Sequence, residues 1–284
     1  MIKRVAGIAA LFSLVCLSAC DKELSVENAD NTGNELIVGK DCRISKIVYT
    51  DTASKANLSS IEATINLLDR VEQINEFDSL AAALTFATNV SYSNDTIYLN
   101  PDEYFVMDII NNRVKRLHAL TDPTDVLSPQ YDADYNYNAA GYLINKLYYY
   151  TSGLPVVSVD YLYTGNNLTK MIFTNLITSE VEMDADMQYH TNIAPRSYLY
   201  IFPDELFHAE YTQFFNFGRK PVNAIKDIKL RTYNLGIAVD SLVSHFDSYR
   251  MSRDNYVLDV IMSGNEQPCI PAPKSKLRFS YKCK

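Results

Sequence analysis

Ile65-Asn66-Leu67-Leu68-Asp69-Arg70-Val71-Glu72-Gln73-Ile74 lies over Asp108-Ile109-Ile110-Asn111-Asn112-Arg113-Val114-Lys115-Arg116-Leu117 without a gap, at an offset of 43 residues. Each stretch reads as strand, tight polar turn, strand, and repetition of one supersecondary unit governs how the rest of the chain is read. A second form sets Val90-Ser91-Tyr92-Ser93-Asn94-Asp95-Thr96-Ile97 against Tyr161-Leu162-Tyr163-Thr164-Gly165-Asn166-Asn167-Leu168, at an offset of 71. A third sets Gly141-Tyr142-Leu143-Ile144-Asn145-Lys146-Leu147 against Asn255-Tyr256-Val257-Leu258-Asp259-Val260-Ile261, with Tyr135 and Tyr249 equally placed upstream. Glycine in one copy stands where asparagine stands in the other, and both tolerate the positive φ that short hairpin turns require.

After the turn comes an apolar residue, two mostly polar residues and another apolar residue, as in Val71 to Ile74, Val114 to Leu117 and Leu168 to Met171. That spacing suits a helix as well as a strand, so periodicity alone does not decide. The turn residues, and the tyrosine, isoleucine and valine around them, favour strands. Arg43 to Tyr49 reads as the second half of another such hairpin, and Lys276 to Tyr281 alternates like a final strand. The expected fold is all-β: one domain over 42–284, an antiparallel meander of about a dozen strands, rolled into a half-barrel or barrel because so wide a sheet seldom stays open and flat.

Residues 183–224 are expected to interrupt the hairpins. Pro203-Asp204-Glu205-Leu206-Phe207-His208-Ala209-Glu210-Tyr211 reads as a short helix, with proline and two acids at its start. Phe207, Tyr211 and Phe214, with Phe215 and Phe217 beyond, either pack against the sheet or line a binding cleft. The chain has 21 tyrosines and no tryptophan. Tyr148 and Tyr150 fall on one side of a strand and Tyr149 on the other, as candidates for stacking on a sugar or for cross-strand pairing.

No residue pattern points to catalysis. His118, His190, His208 and His245 lie outside any nucleophile motif, and no two cysteines have zinc-ligand spacing. Asp184 with Asp186, or Asp204 with Glu205, would be carboxylate pairs of glycosidase type only if space brought them together. Asp122 to Asp125 and Asp132 to Asp134 lack a calcium-loop pattern, and there is no phosphate-binding loop. The expectation is therefore a non-enzymatic chain with no catalytic residue, metal ligand or cofactor; a hydrolase with its site in the 183–224 insert is the alternative.

Residues 1–19 have the layout of a secretion signal, with Lys3 and Arg4 followed by the apolar run Val5 to Val15. Leu17-Ser18-Ala19-Cys20 resembles the bacterial lipobox, which implies cleavage before Cys20, a covalent lipid on that cysteine and 265 mature residues of the 284. Residues 20–41 then read as lipidated cysteine and flexible tether. The start Cys20-Asp21-Lys22-Glu23 resembles outer-membrane and surface lipoproteins of Bacteroidota, although an aspartate directly after the anchor elsewhere means retention at the inner membrane. Loss of Lys3 and Arg4 takes the net charge from -8 to -10, which argues against nucleic acid as a partner.

Three cysteines remain, in a compartment that permits disulfides. Cys269 with Cys283 would close a short loop, Cys42 with Cys283 would tie the first strand to the last, and the third possibility is that all stay reduced.

The hairpins resemble the tyrosine-rich repeats of form Tyr-x-Tyr-Asp-x-x-Gly-x-Leu-x-Lys-Ile, found in YD-type repeats and in uncharacterised lipoproteins of Bacteroidota. The likeness covers roughly 42–175 and 225–281, and Tyr137-Asn138 and Tyr163-Thr164 replace the Tyr-Asp pair. It implies a long antiparallel meander and no established activity. The partners expected are the membrane, through the lipid, and an envelope protein or a glycan.

Overall fold

Hairpins, many of them built on asparagine, aspartate and glycine turns, account for most of the described residues. The computed structural model describes residues 42–78, 83–120, 130–150, 153–196, 199, 213–264 and 274–284. The signal, Cys20, the tether, the 203–211 helix with Phe207 and Tyr211, and Cys269 lie outside these residues. The described residues contain seventeen strands and no α-helix, an all-β antiparallel meander with more strands than the dozen expected.

Two compact units are present, where the sequence suggested one domain. At two of its four crossings the chain passes between them inside a continuous strand, β4 (Ala83–Asn89) and β15 (Ile237–Met251), where no linker composition marks a boundary; the other two flank His190–Tyr198. The first unit contains β1 (Arg43–Asp51), β2 (Asn57–Ile65), β3 (Val71–Asp78), the later half of β15, β16 (Val257–Gly264) and β17 (Lys274–Lys282). The second contains β5 (Ser91–Ser93), β6 (Thr96–Asn100), β7 (Glu103–Asp108), β8 (Arg113–Leu120), β9 (Gln130–Tyr137), β10 (Leu143–Tyr150), β11 (Pro155–Thr164), β12 (Asn167–Asn175), β13 (Glu180–Tyr189) and β14 (Ile225–Asn234).

The repeats found in the sequence are repeats of backbone geometry. Asp69 and Asn112 have φ of 61° and 48°, Asn94 and Gly165 51° and 57°, Gly141 and Asn255 89° and 63°. In the last pair Gly141 donates to the Asn138 carbonyl and Asn255 to the Ser252 carbonyl, at 2.9 and 3.1 Å. The side chains of Asn138 and Ser252 accept from the Tyr142 and Tyr256 amides, both at 3.0 Å.

The helix-like spacing after each turn has a strand explanation. Opposite Thr64 and Ile65 stand Gln73 and Val71, leaving Glu72 as an extra residue in the ladder. Lys115, Thr169, Ile144 and Leu258 are extra in the same way, each directly after the first apolar residue of its strand. A β-bulge at that position turns a spacing of three into same-face residues. Hence Val71 and Ile74, Val114 and Leu117, Leu168 and Met171, and Val257 and Val260 are all buried together.

β1 shows the same bulge, at Ser45, but its hairpin partner is β17 at the far end of the chain. A disulfide from Cys42 to Cys283, 241 residues apart in sequence, stands where the other hairpins have a turn. Of the two pairings considered this is the strand-joining one, and Cys283 is therefore not available to Cys269.

The hairpin pattern continues to Tyr189, so the insert begins at 190 and not at 183. In Met183-Asp184-Ala185-Asp186-Met187 the methionines and Ala185 are buried, while the acids point to the other face, the alternation of an ordinary strand.

Candidate functional site

The two faces of the second unit's sheet differ in chemistry. One is covered: Phe217 is fully buried and meets Phe105 and Tyr135 at 5.5 and 5.2 Å between ring centroids, and Phe215 meets Phe105 at 5.3 Å. Residues 216–223 run along the ends of three successive hairpins, with an amide donor at each. Val114 donates to the Asn216 carbonyl at 2.8 Å, Arg219 to that of Gly141 at 2.9 Å, and Val222 and Asn223 to the Asn167 side chain at 3.0 Å. Gly218 permits this approach, since its φ is 88° and a Cβ there would lie 2.8 Å from the Tyr137 ring.

Phe214 and Tyr148, expected as possible cleft-lining aromatics, are each only 2% exposed and belong to this core. Tyr148 lies 4.5 Å from the ammonium of Lys146, itself fully buried, which also sits 4.9 Å from the Tyr135 ring. Tyr150 is half-buried.

The open face carries a row of side chains contributed by five adjacent strands. Cross-strand pairing sets Tyr98 of β6 beside Tyr104 of β7, Tyr104 beside His118 of β8, His118 beside Asp132 of β9, and Asp132 beside Tyr149 of β10. Tyr98 and Tyr104 are 5.5 Å apart and tilted; Tyr104 and His118 are stacked at 4.8 Å and 24°. Nδ1 of His118 lies 2.5 Å from the Asp132 carboxylate. All five are partly exposed. At ~4.8 Å per strand the row spans roughly 19 Å.

A second row, displaced by two residues, contains Arg116, whose guanidinium grips Asp134 through two donors at 2.5 and 3.0 Å. That hydrogen bond raises the Arg116 pKa, while burial, with the Asp134 charge, raises that of Tyr149. Asn145 continues the polar surface, donating to Ser158 at 2.9 Å and Asp160 at 2.8 Å.

Further along the same face Arg231 binds Asp184 through two donors at 2.6 and 2.8 Å and also reaches Asp186, and Lys170 stands 3.4 and 3.6 Å from the two acids. A shallow depression of about 520 Å³ opens here between Lys170, Ile172, Val181, Tyr233 and Leu235. Burial alone would raise the Asp184 carboxyl, but the hydrogen bonds and charge of Arg231, with Lys170, outweigh it and hold the group below its ordinary value. Both acids are thus engaged with the same two cations, Arg231 and Lys170, as an ion-pair network on the sheet surface. Among the described residues no cluster of three histidine, cysteine or acidic side chains could hold a metal ion.

The sequence named Tyr149, His118 and Asp132 separately and Tyr98 and Tyr104 not at all, and did not join them into one row, because the five meet only across strand registers. One local signal was present: Tyr98 and Tyr104 stand at mirror positions around the turn between Asn100 and Glu103.

No protein-family model matches this chain, and no curated protein does. Solved structures do. A porin-like protein from Bacteroides uniformis superposes with a TM-score of 0.58 at 11% identity, over 84% of this chain and 98% of the other. A porin-like protein from Bacteroides vulgatus gives 0.53 at 17% identity, over 85% and 99%. At these identities the likeness is one of fold: the chain shares its antiparallel all-β architecture with porin-like Bacteroides proteins.

Proposed function

We propose that this protein is a lipid-anchored, non-enzymatic binding protein of the bacterial cell envelope, and that it captures a polyhydroxylated ligand, a glycan, on the open face of β6 to β10. The row Tyr98, Tyr104, His118, Asp132, Tyr149 carries the proposal. Partly exposed rings offer apolar surface to a sugar, while the adjoining carboxylates and the guanidinium are the groups that bind hydroxyls. The length of the row suits a chain of sugar rings better than a single small molecule, for which enclosed pockets are the rule.

The lipobox-like end at Cys20 and the fold shared with porin-like Bacteroides proteins support an envelope setting. A membrane-embedded barrel would present an apolar outer band. Here the open face carries Arg116, Asp134, Lys170, Asp184 and Arg231 in ion pairs, and the opposite face is filled by side chains, so attachment through lipid is the better reading.

Affinity electrophoresis of the full chain in gels containing a panel of polysaccharides tests the site. At least one is expected to retard the protein, and Tyr104→Ala with His118→Ala to abolish the retardation while the fold is retained. If no polysaccharide retards the protein, or if the double variant is retarded equally, the glycan reading fails and a scaffold contacting envelope proteins takes its place.

A further inference from the structure

Three hairpin tips among the described residues carry adjacent aliphatic side chains in water; Leu176 and Ile177 of the β12–β13 turn are 37% and 62% exposed, and the two tips in the copies of the 43-residue repeat are more exposed. In the β2–β3 turn Leu67 is fully exposed and Leu68 is 76% exposed; in the β7–β8 turn Ile109 and Ile110 are 70% and 94% exposed. Single exposed apolar residues are ordinary, but adjacent pairs at the apex of a turn are not what polar turn chemistry provides. The first of these turns is rigid. The Asn66 side chain accepts from the Leu68 and Arg70 amides at 2.9 and 3.0 Å, and the Asp69 amide donates to the Asn66 carbonyl at 3.1 Å, so the leucines are held outward.

The surroundings of this tip identify what it meets. Asp69, in the turn itself, pairs with Arg43 at 3.3 Å and with Lys284 at 3.0 Å. The tip therefore lies at the end of the first unit that holds Cys42 and Cys283, and residues 20–41, which begin at the lipid-bearing Cys20, join the described chain at Cys42. Arg70, Lys282 and Lys284 are exposed at this end, with Asp69 and Glu72 as the acids of the turn, in a chain whose net charge is -8. Aliphatic tips flanked by cations are the pattern of a surface that dips into a bilayer, the apolar groups reaching the acyl boundary and the cations the phosphates.

We infer that the Leu67-Leu68 turn inserts into the membrane to which Cys20 is anchored, so that the tether's end of the first unit faces the lipid. The inference rests on lipid attachment at Cys20, and the test separates the two. Since the chain has no tryptophan, Leu67→Trp introduces a single reporter, and Ala53→Trp, in the exposed β1–β2 turn at the other end of those strands, is the control. Each full-length variant is produced lipidated and reconstituted into vesicles of phosphatidylethanolamine and phosphatidylglycerol, with and without brominated acyl chains.

The expected result is a blue shift and bromine quenching for Trp at 67 and neither at 53. A protein that floats with the vesicles but shows no quenching at 67 overturns the insertion and leaves the anchor standing. A protein that does not float overturns both. Replacing both leucines, Leu67→Asp with Leu68→Asp, is expected to remove most vesicle binding by the unlipidated Cys20→Ala chain without altering its unfolding transition; unchanged binding counts against the inference.

Discussion

Asp184 shows how a single side chain's surroundings set its behaviour. Its carboxyl is buried to 6% exposure yet held below the ordinary value of 3.8 by Arg231 and Lys170. A group more acidic in the folded than in the unfolded chain adds stability above the unfolded pKa and loses it as pH falls through the folded one. Urea unfolding at pH 7 is therefore expected to show Asp184→Asn less stable than wild type by on the order of 1–2 kcal/mol. As pH falls through the lowered folded pKa the two should converge; a difference that persists unchanged would mean that the ionised carboxylate contributes nothing to stability. Tyrosine, read from the sequence as a stacking or cross-strand pairing residue, has a further structural duty at the same scale. The hydroxyls of Tyr137, Tyr189 and Tyr281 donate to the carbonyls of Val114, Leu168 and Val257 at 2.6, 2.8 and 2.6 Å. Those are the residues immediately before bulges, where the ladder is locally disrupted.

At the scale of the hairpin, the turn positions were legible because asparagine, aspartate and glycine advertise positive φ, and the structure has it at Asp69, Asn112, Gly141 and Asn255. The bulge was visible only as an ambiguity, a spacing of three compatible with helix. It makes a contrast that deletion can test. Removing the bulged Thr169 restores regular pairing and keeps Leu168, Met171 and Phe173 on the covered face, so the protein should still unfold cooperatively with a loss of about 1–2 kcal/mol. Removing Ile172, where pairing is regular, inverts Phe173 to the open face, and no native transition is expected by circular dichroism. Equal tolerance of both deletions would show that bulge register does not set the faces. The row from Tyr98 to Tyr149 was illegible for the related reason that it needs four registers at once, whereas Tyr148 and Phe214, conspicuous in sequence, are core.

For the molecule as a whole, the pairing of cysteines was the choice that spacing could not make, because it depends on which strands become neighbours. β17 lies beside β1, and the Cys42–Cys283 bond completes the pair. Closing so long a loop restricts the unfolded chain by ~5–6 kcal/mol in the chain-entropy model. Cys283→Ser is expected to lower the melting temperature by roughly 10 °C, and reduction of the wild type to do the same. A change of a degree or less would assign the bond no stabilising role. The two compact units were not foreseen either, since two of the four crossings run through unbroken strands and leave no linker composition to read.

That bond also alters what damage by a protease means for the chain. From Cys42 to Cys283 the backbone is a covalent ring, and a ring cut once is still one piece. A protease that nicks any one exposed loop within it releases no fragment: the strands on both sides of the cut remain linked to each other through the Cys42–Cys283 bond. Only a second cut, or a reductant, would set any part of the folded chain adrift.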